Sequence, residues 1–273
     1  MLACLFVISC ALFPSPAPPR TELWSSPVWR GLLAKIADAK GEPFASLRER
    51  IENKISYPPV FAAKEEGKNS DEIFLVSPRN TKIRPETWDR MFLWNLAVNG
   101  RDYILHIYSG ESEVMKREMG SAHRATVSEP DAAFLPGAEY SWDVSLCVER
   151  CGLHLSSRPQ LRPRFTLLSD EAGKRVAEEL AAVKTWCHER GMSGSEDEAA
   201  LIALTLEGAG LYMEEGQLLQ KEIRRRPDSV LMHLALSSAL YGMNSPWGAR
   251  REYEAARALL DTVKENPTAA TPK

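Results

Sequence analysis

One change of hydrophobic period, at Ser169, constrains this chain more than any other feature. From Glu72 to that point apolar residues come in short runs that alternate with polar ones. Beyond it they recur every three to four residues. A strand turns successive side chains to opposite faces, whereas a helix returns them to one face every 3.6 residues. Strands followed by helices, rather than strands alternating with helices, predict an α+β multidomain chain without a doubly wound parallel sheet. The strand half reads as Ile73–Val76, Arg90–Leu96, Tyr103–Tyr108, Val114–Met119, Arg124–Val127, Glu139–Cys147 and Arg164–Leu168. Phe92 and Trp94 share one face of the second run, and Asn99-Gly100 predicts a hairpin joining it to the third, since type I′ turns need positive φ at both central residues. Short strands at this spacing predict an antiparallel β-sandwich over 71–168.

Helical signals fill 169–264. Ser169 caps a helix with Asp170 and Glu171 in its first turn; Val176, Leu180, Val183 and Trp186 form its apolar stripe and Gly191 ends it. Ser195-x-x-Glu198 is a capping box, and Ser245-Pro246 starts the last helix. Residues 196–229 and 230–263 hold 34 residues each and align on one pattern. Ile202, Ala203 and Leu206 match Leu236, Ser237 and Leu240, while Ala249, Tyr253 and Ala256 supply the small, large and small positions of the second copy. Glu215 and Glu222 stand at the small positions of the first. The period and register resemble tetratricopeptide (TPR) repeats. Two repeats bury too little surface alone, so the helix at 170–190 is expected to add a layer. Residues 265–273 read as a tail.

Leu135-Pro-Gly-Ala-Glu-Tyr140-Ser-Trp142-Asp-Val144 resembles the corner and penultimate strand of a fibronectin type III-like or other immunoglobulin-like sandwich. That resemblance makes Tyr140 the residue whose hydroxyl ties back to the upstream backbone. The whole arrangement resembles bacterial envelope proteins that join such a sandwich to TPR-like helices, which implies binding or scaffolding and no reaction.

Leu2–Phe13 is apolar apart from Ser9, too short for a span of about 20 residues and suited to a secretory signal. No Lys or Arg precedes it. Val7-Ile8-Ser9-Cys10 resembles a bacterial lipobox, which implies lipidation at Cys10, with cleavage alone as the alternative. Pro14–Pro19 is a semi-rigid tether. Residues 1–20 therefore read as signal and tether, and the expected location is the bacterial periplasm or cell envelope, with membrane contact through the lipid. Residues 21–70 read as a helical segment and linker: Trp24, Val28, Trp29, Leu32, Leu33 and Ile36 give a helix over 24–38, a second covers Ser46–Ile55, and loop composition follows.

Thirty-four Lys and Arg against 37 Asp and Glu give a net charge of −3, which does not support a cationic nucleic-acid binder. The chain has no phosphate-cradling glycine loop, no HExxH and no nucleophile elbow. Cys147, Cys151 and His154, with Cys187 and His188 further on, are the one cluster with ligand chemistry. For an exported chain Cys147 and Cys151 read as a local disulfide or as two unrelated thiols, with no metal and no cofactor. Cys187 is expected unpaired and buried. Arg224-Arg225-Arg226 and Glu196-Asp197-Glu198 read as solvated helix ends complementing the dipole. Trp94 and Trp142 read as core and Trp88 as exposed. The leading reading is a non-enzymatic, envelope-tethered scaffold that binds a protein or peptide in a TPR-like groove through Glu198, Ile202, Thr205, His233, Ser237 and Leu240. The alternative is a polysaccharide-binding module using aromatics of the sandwich.

Overall fold

The structure, a computed structural model, describes residues 27–56, 75–94, 102–128, 132–147 and 162–265. Among these residues it contains seven helices and eight strands in two sheets. The strands are β1 (Leu75–Ser77), β2 (Thr81–Ile83), β3 (Met91–Trp94), β4 (Asp102–Ser109), β5 (Ser112–Gly120), β6 (Arg124–Thr126), β7 (Glu139–Cys147) and β8 (Arg164–Leu167). One sheet has the order β1-β3-β6 and the other β2-β8-β7-β4-β5. Every pairing is antiparallel except β2 with β8, which is parallel. β2 has three residues, too few for its alternation to stand out in the sequence.

Alternation does the folding here. Phe92 and Trp94 of one sheet meet Tyr103, Leu105, Ile107, Tyr140, Trp142, Val144 and Phe165 of the other in a single core. Aromatic rings crowd its centre: Phe92 stands edge-on to Trp142, centroids 5.3 Å apart. Burying one such side chain contributes about 1.5–3 kcal/mol. The same inward apolar faces defeat the hairpin expected at Asn99-Gly100. β3 and β4 lie in different sheets and face each other across the core, whereas a hairpin would place their apolar residues side by side on one sheet. Residues 95–101, with that dipeptide, lie outside the described residues. The described hairpin is β4–β5, turning through Gly110-Glu111 with Gly110 at φ 59°. Tyr140 makes the expected tie: its hydroxyl accepts the Leu135 N–H at 2.7 Å.

The helices are α1 (Pro27–Lys35), α2 (Glu42–Ser56), α3 (Asp170–Glu189), α4 (Glu196–Ala209), α5 (Tyr212–Arg225), α6 (Val230–Gly242) and α7 (Pro246–Glu265). Ser169, Ser195 and Ser229 each cap a helix by accepting a backbone N–H three residues on. Gly210, at φ 76°, ends α4 in the left-handed conformation that glycine adopts without steric cost. Helices α4/α5 and α6/α7 form the two expected hairpins, with α3 against α4. α1 and α2 are not a separate segment. Trp29, Leu32, Ile36, Phe44, Leu47 and Ile51 share one core with residues of α3 to α6 and with Ala256 of α7. That packing explains α6, in which Leu231 through Ala239 are all buried. A helix apolar all round requires neighbours on every side. α7 closes the array with an outer face of ion pairs, Arg250–Glu254 and Arg257–Asp261. Among the described residues no helix is long and apolar enough to cross a membrane.

Strand β8 runs into α3 through Leu168 and Ser169 alone. Around this joint β2 is fastened to the start of α5 and the end of α4. The Lys82 N–H donates to the Gly210 carbonyl at 2.8 Å, and the Met213 N–H donates to Thr81 Oγ1 at 3.2 Å. Arg84 grips Glu214 with a two-point fork, which holds the guanidinium charge more firmly.

Candidate interaction cleft

Of the residues with ligand chemistry in the sequence, Cys187 and His188 are the ones whose side chains are described. Cys10, Cys151 and His154 lie outside the described residues, as does the side chain of Cys147, which ends β7. Cys187 is free and fully buried, whereas neighbouring His188 is exposed. Burial and the charges of Glu198 and Asp197 push the Cys187 thiol up to about 11, so it holds its proton at neutral pH. Among the described residues no group of three His, Cys, Asp or Glu side chains could hold a metal ion.

The six residues expected to line a groove are instead engaged within the helical array, while α1 and α2 pack against α4 and α6. Ser237 is fully buried and donates to the Ala249 carbonyl at 2.7 Å, clamping α6 to α7. Thr205 is buried and donates to the Leu201 carbonyl. The buried His233 has Glu252 at 2.8 Å from Nδ1 and the Pro227 carbonyl at 3.1 Å from Nε2. Ile202 and Leu240 are half-buried against the core. Glu198 completes its cap by accepting the Gly194 N–H at 2.6 Å. At Ser237 and His233 the partner is α7, the second helix of the same hairpin.

Trp88 also departs from expectation. It is 8% exposed and packs among Phe92, Phe134 and Phe165 with centroids 5.1–5.8 Å away. Trp94 and Trp142 are interior, and the Trp142 indole N–H donates to the Pro78 carbonyl at 2.6 Å. The acidic turn Glu196–Glu198 is engaged: Glu196 accepts from Ser229 and Asp197 pairs with Lys35 at 2.6 Å. Arg225 and Arg226 pair with Glu222.

One chain of polar contacts has the connectivity of a nucleophile, a base and an orienting acid. Ser145 Oγ lies 2.9 Å from His106 Nε2, and His106 Nδ1 lies 3.2 Å from Glu113. Ser145 is 1% exposed near the end of β7, so its hydroxyl faces no solvent from which a substrate could arrive. Beside it Asp143 binds Arg162 at 2.7 Å, while burial outweighs that arginine and raises the Asp143 carboxyl above its ordinary range. The network ties β4, β5 and β7 together.

The open polar site lies at the joint between the sheets and the helices. Two adjoining hollows of about 450 and 400 Å³ share Arg50, Glu207 and Tyr212. The first continues over Thr81, Lys82 and Arg164, the second over Lys54, Ser238 and Tyr241. Lys54 Nζ donates to Glu207 Oε1 and Ser238 Oγ, each at 2.6 Å, and Ser238 donates to the same Glu207 oxygen at 2.8 Å. Near this network Glu215 is 1% exposed, and its Oε2 has no partner among the described residues. Burial first, then Glu207, pushes the Glu215 carboxyl well above its ordinary value, against the opposing pull of Lys54 and Arg50. Burial and the same two carboxyls raise the Tyr212 hydroxyl.

Two glycines open the space. A Cβ on Gly208 would collide with the Arg50 guanidinium, and one on Gly242 would come within 2.6 Å of the Tyr212 ring. Gly208 and Gly242 stand 34 residues apart, at equivalent places in the two hairpins. That recurrence is the sequence signal that could have marked the cleft. Its other walls come from separate segments that only the tertiary fold brings together. No known protein family and no curated protein matches the chain.

Proposed function

We propose that the chain is a non-enzymatic interaction scaffold of the bacterial envelope, built from an immunoglobulin-like sandwich and a TPR-like helical array. Two sheets around one core, a first strand divided between them and the Tyr140 tie support the first assignment. Support for the second comes from consecutive helical hairpins of one period in which α4 also contacts α6. The observation that carries the interaction role is the open, donor-rich cleft at the joint. Six segments of chain converge there, and Tyr241, 46% exposed, stands at its lip. The six residues first expected to bind are engaged within the array, so the binding surface in this reading is the cleft. With Trp88, Trp94 and Trp142 interior, the polysaccharide reading has lost the sandwich aromatics it would use.

A photo-cross-linking residue placed at Tyr241 should trap an envelope protein in cells, whereas the same residue at the exposed Arg257 of α7 should not. Equal adducts from both positions, or none from Tyr241, would remove the cleft from the proposal. Envelope tethering has its own test. A palmitate analogue should label the wild type and leave Cys10→Ser unlabelled.

A further inference from the structure

The chain as a whole is slightly acidic, at −3, but the cleft reverses that sign. Its lining carries Arg50, Lys54, Lys82 and Arg164 against Glu139 and Glu207. Lys54 is committed to Glu207 at 2.6 Å, and Arg164 faces Glu139 at 3.4 Å. Among the described residues Arg50 and Lys82 have no ion-pair partner, and both stand over one helix end. The Arg50 guanidinium lies on Gly208, and the Lys82 stem lies 3.4 Å from where a Gly210 Cβ would be. α4 has no basic residue in its own last turn, so the two cations also complement the negative end of its dipole. A helix end amounts to about half an elementary charge. The ends of α4 and α6 together therefore offset about one of the two excess positive charges, and the cleft stays positive.

Resting on the reading of this cleft as the partner site, we infer that it seats an acidic segment of a protein partner. One carboxylate lies between the Arg50 guanidinium and the Lys82 ammonium, and the flanking residues run along Tyr212 and Tyr241. Charge-assisted contacts to a guanidinium and an ammonium are the stronger class of hydrogen bond, and at a half-open site they weaken with salt.

The test is fluorescence anisotropy of a labelled tetraglutamate peptide with the full chain, beside tetraglutamine. Tetraglutamate should bind saturably and more weakly as salt rises, while tetraglutamine should not bind. Lys82→Glu should lose about tenfold or more, the equivalent of about 1.4 kcal/mol. Lys82→Arg should keep binding, and Lys184→Glu, on the exposed side of α3, should leave it unchanged. Equal binding of tetraglutamine, equal loss in Lys82→Glu and Lys184→Glu, or tighter binding of an oligouronate would overturn the inference. A Tyr241 cross-link that persists in Lys82→Glu would overturn the acidic segment and leave the scaffold standing. Tetraglutamate binding without any Tyr241 cross-link would do the reverse.

Discussion

The hairpins α4–α5 and α6–α7 share a period and treat the same two positions in opposite ways. The second has Ala249 and Ala256 there, both at 0% exposure, and its helices meet closely over small side chains. The first has Glu215 and Glu222, at 1% and 7% exposure. A buried carboxylate must be paired or give up its charge. Glu222 takes the first course, accepting from Arg225 and Arg226 at 2.9 Å each. Those arginines are thus counter-ions of a buried acid as well as complements to the helix dipole. Glu215 follows the second course: burial and then Glu207 push its carboxyl well above its ordinary value. Both hairpins border the cleft, the first through Glu207, Gly208 and Tyr212 and the second through Ser238, Tyr241 and Gly242.

Removing what both hairpins share should have the largest effect. Trp29→Ala in the common core should cost about 3–5 kcal/mol, as large-to-small core changes do. Hydrogen exchange should show protection falling in α4–α5 and α6–α7 together; loss confined to one hairpin would mean that α1 and α2 belong to that hairpin alone. Next comes the apolar interface. Ala256→Leu should cost about 1–3 kcal/mol through overpacking, read as a lower Tm. Ala258→Leu, at an exposed position of the same helix, should stay within about 0.5 kcal/mol, and equal effects at the two would break the register assigned to α7.

The smaller change, opposite in sign, belongs to the other hairpin. Below the ordinary carboxyl value of 4.5, Glu215 is protonated in both states and contributes no pH dependence. As pH rises through that value the unfolded chain ionises while the folded carboxyl keeps its proton, so stability falls until the folded group itself ionises. Glu215→Gln should remove this fall. In urea melts it should match the wild type near pH 4 and exceed it at pH 7, by less than Ala256→Leu loses. A variant less stable than the wild type at pH 7 would mean that Glu215 is ionised and paired.

What the sequence disclosed follows from how local each cause is. Alternation marks β7 to the residue, and the serines at 169 and 195 mark helix starts, because each needs only its own neighbours. β2 escaped notice because its place is fixed by β8, more than 80 residues away. Asn99-Gly100 describes how a chain can turn but not which sheet receives it. Trp88 precedes a strand and carries no periodicity of its own, and its ring is interior only because Phe134 and Phe165 arrive from elsewhere. The 34-residue period located the hairpins but not what packs on them, since nothing in 196–263 tells that 27–56 covers part of α4 and α6.

That coverage also sets the order in which the molecule can be made. The bonds joining α1 and α2 to the other helices span 162 residues at Lys35–Asp197 and 153 at Lys54–Glu207, with both sheets between. Contacts so distant along the chain close late, because loop-closure entropy must be met first, and they slow folding. Helices α1 and α2, synthesised before both sheets, are among the last to find their partners. Until then Trp29, Leu32, Ile36, Phe44, Leu47 and Ile51 expose an apolar stripe that any holding chaperone could grip.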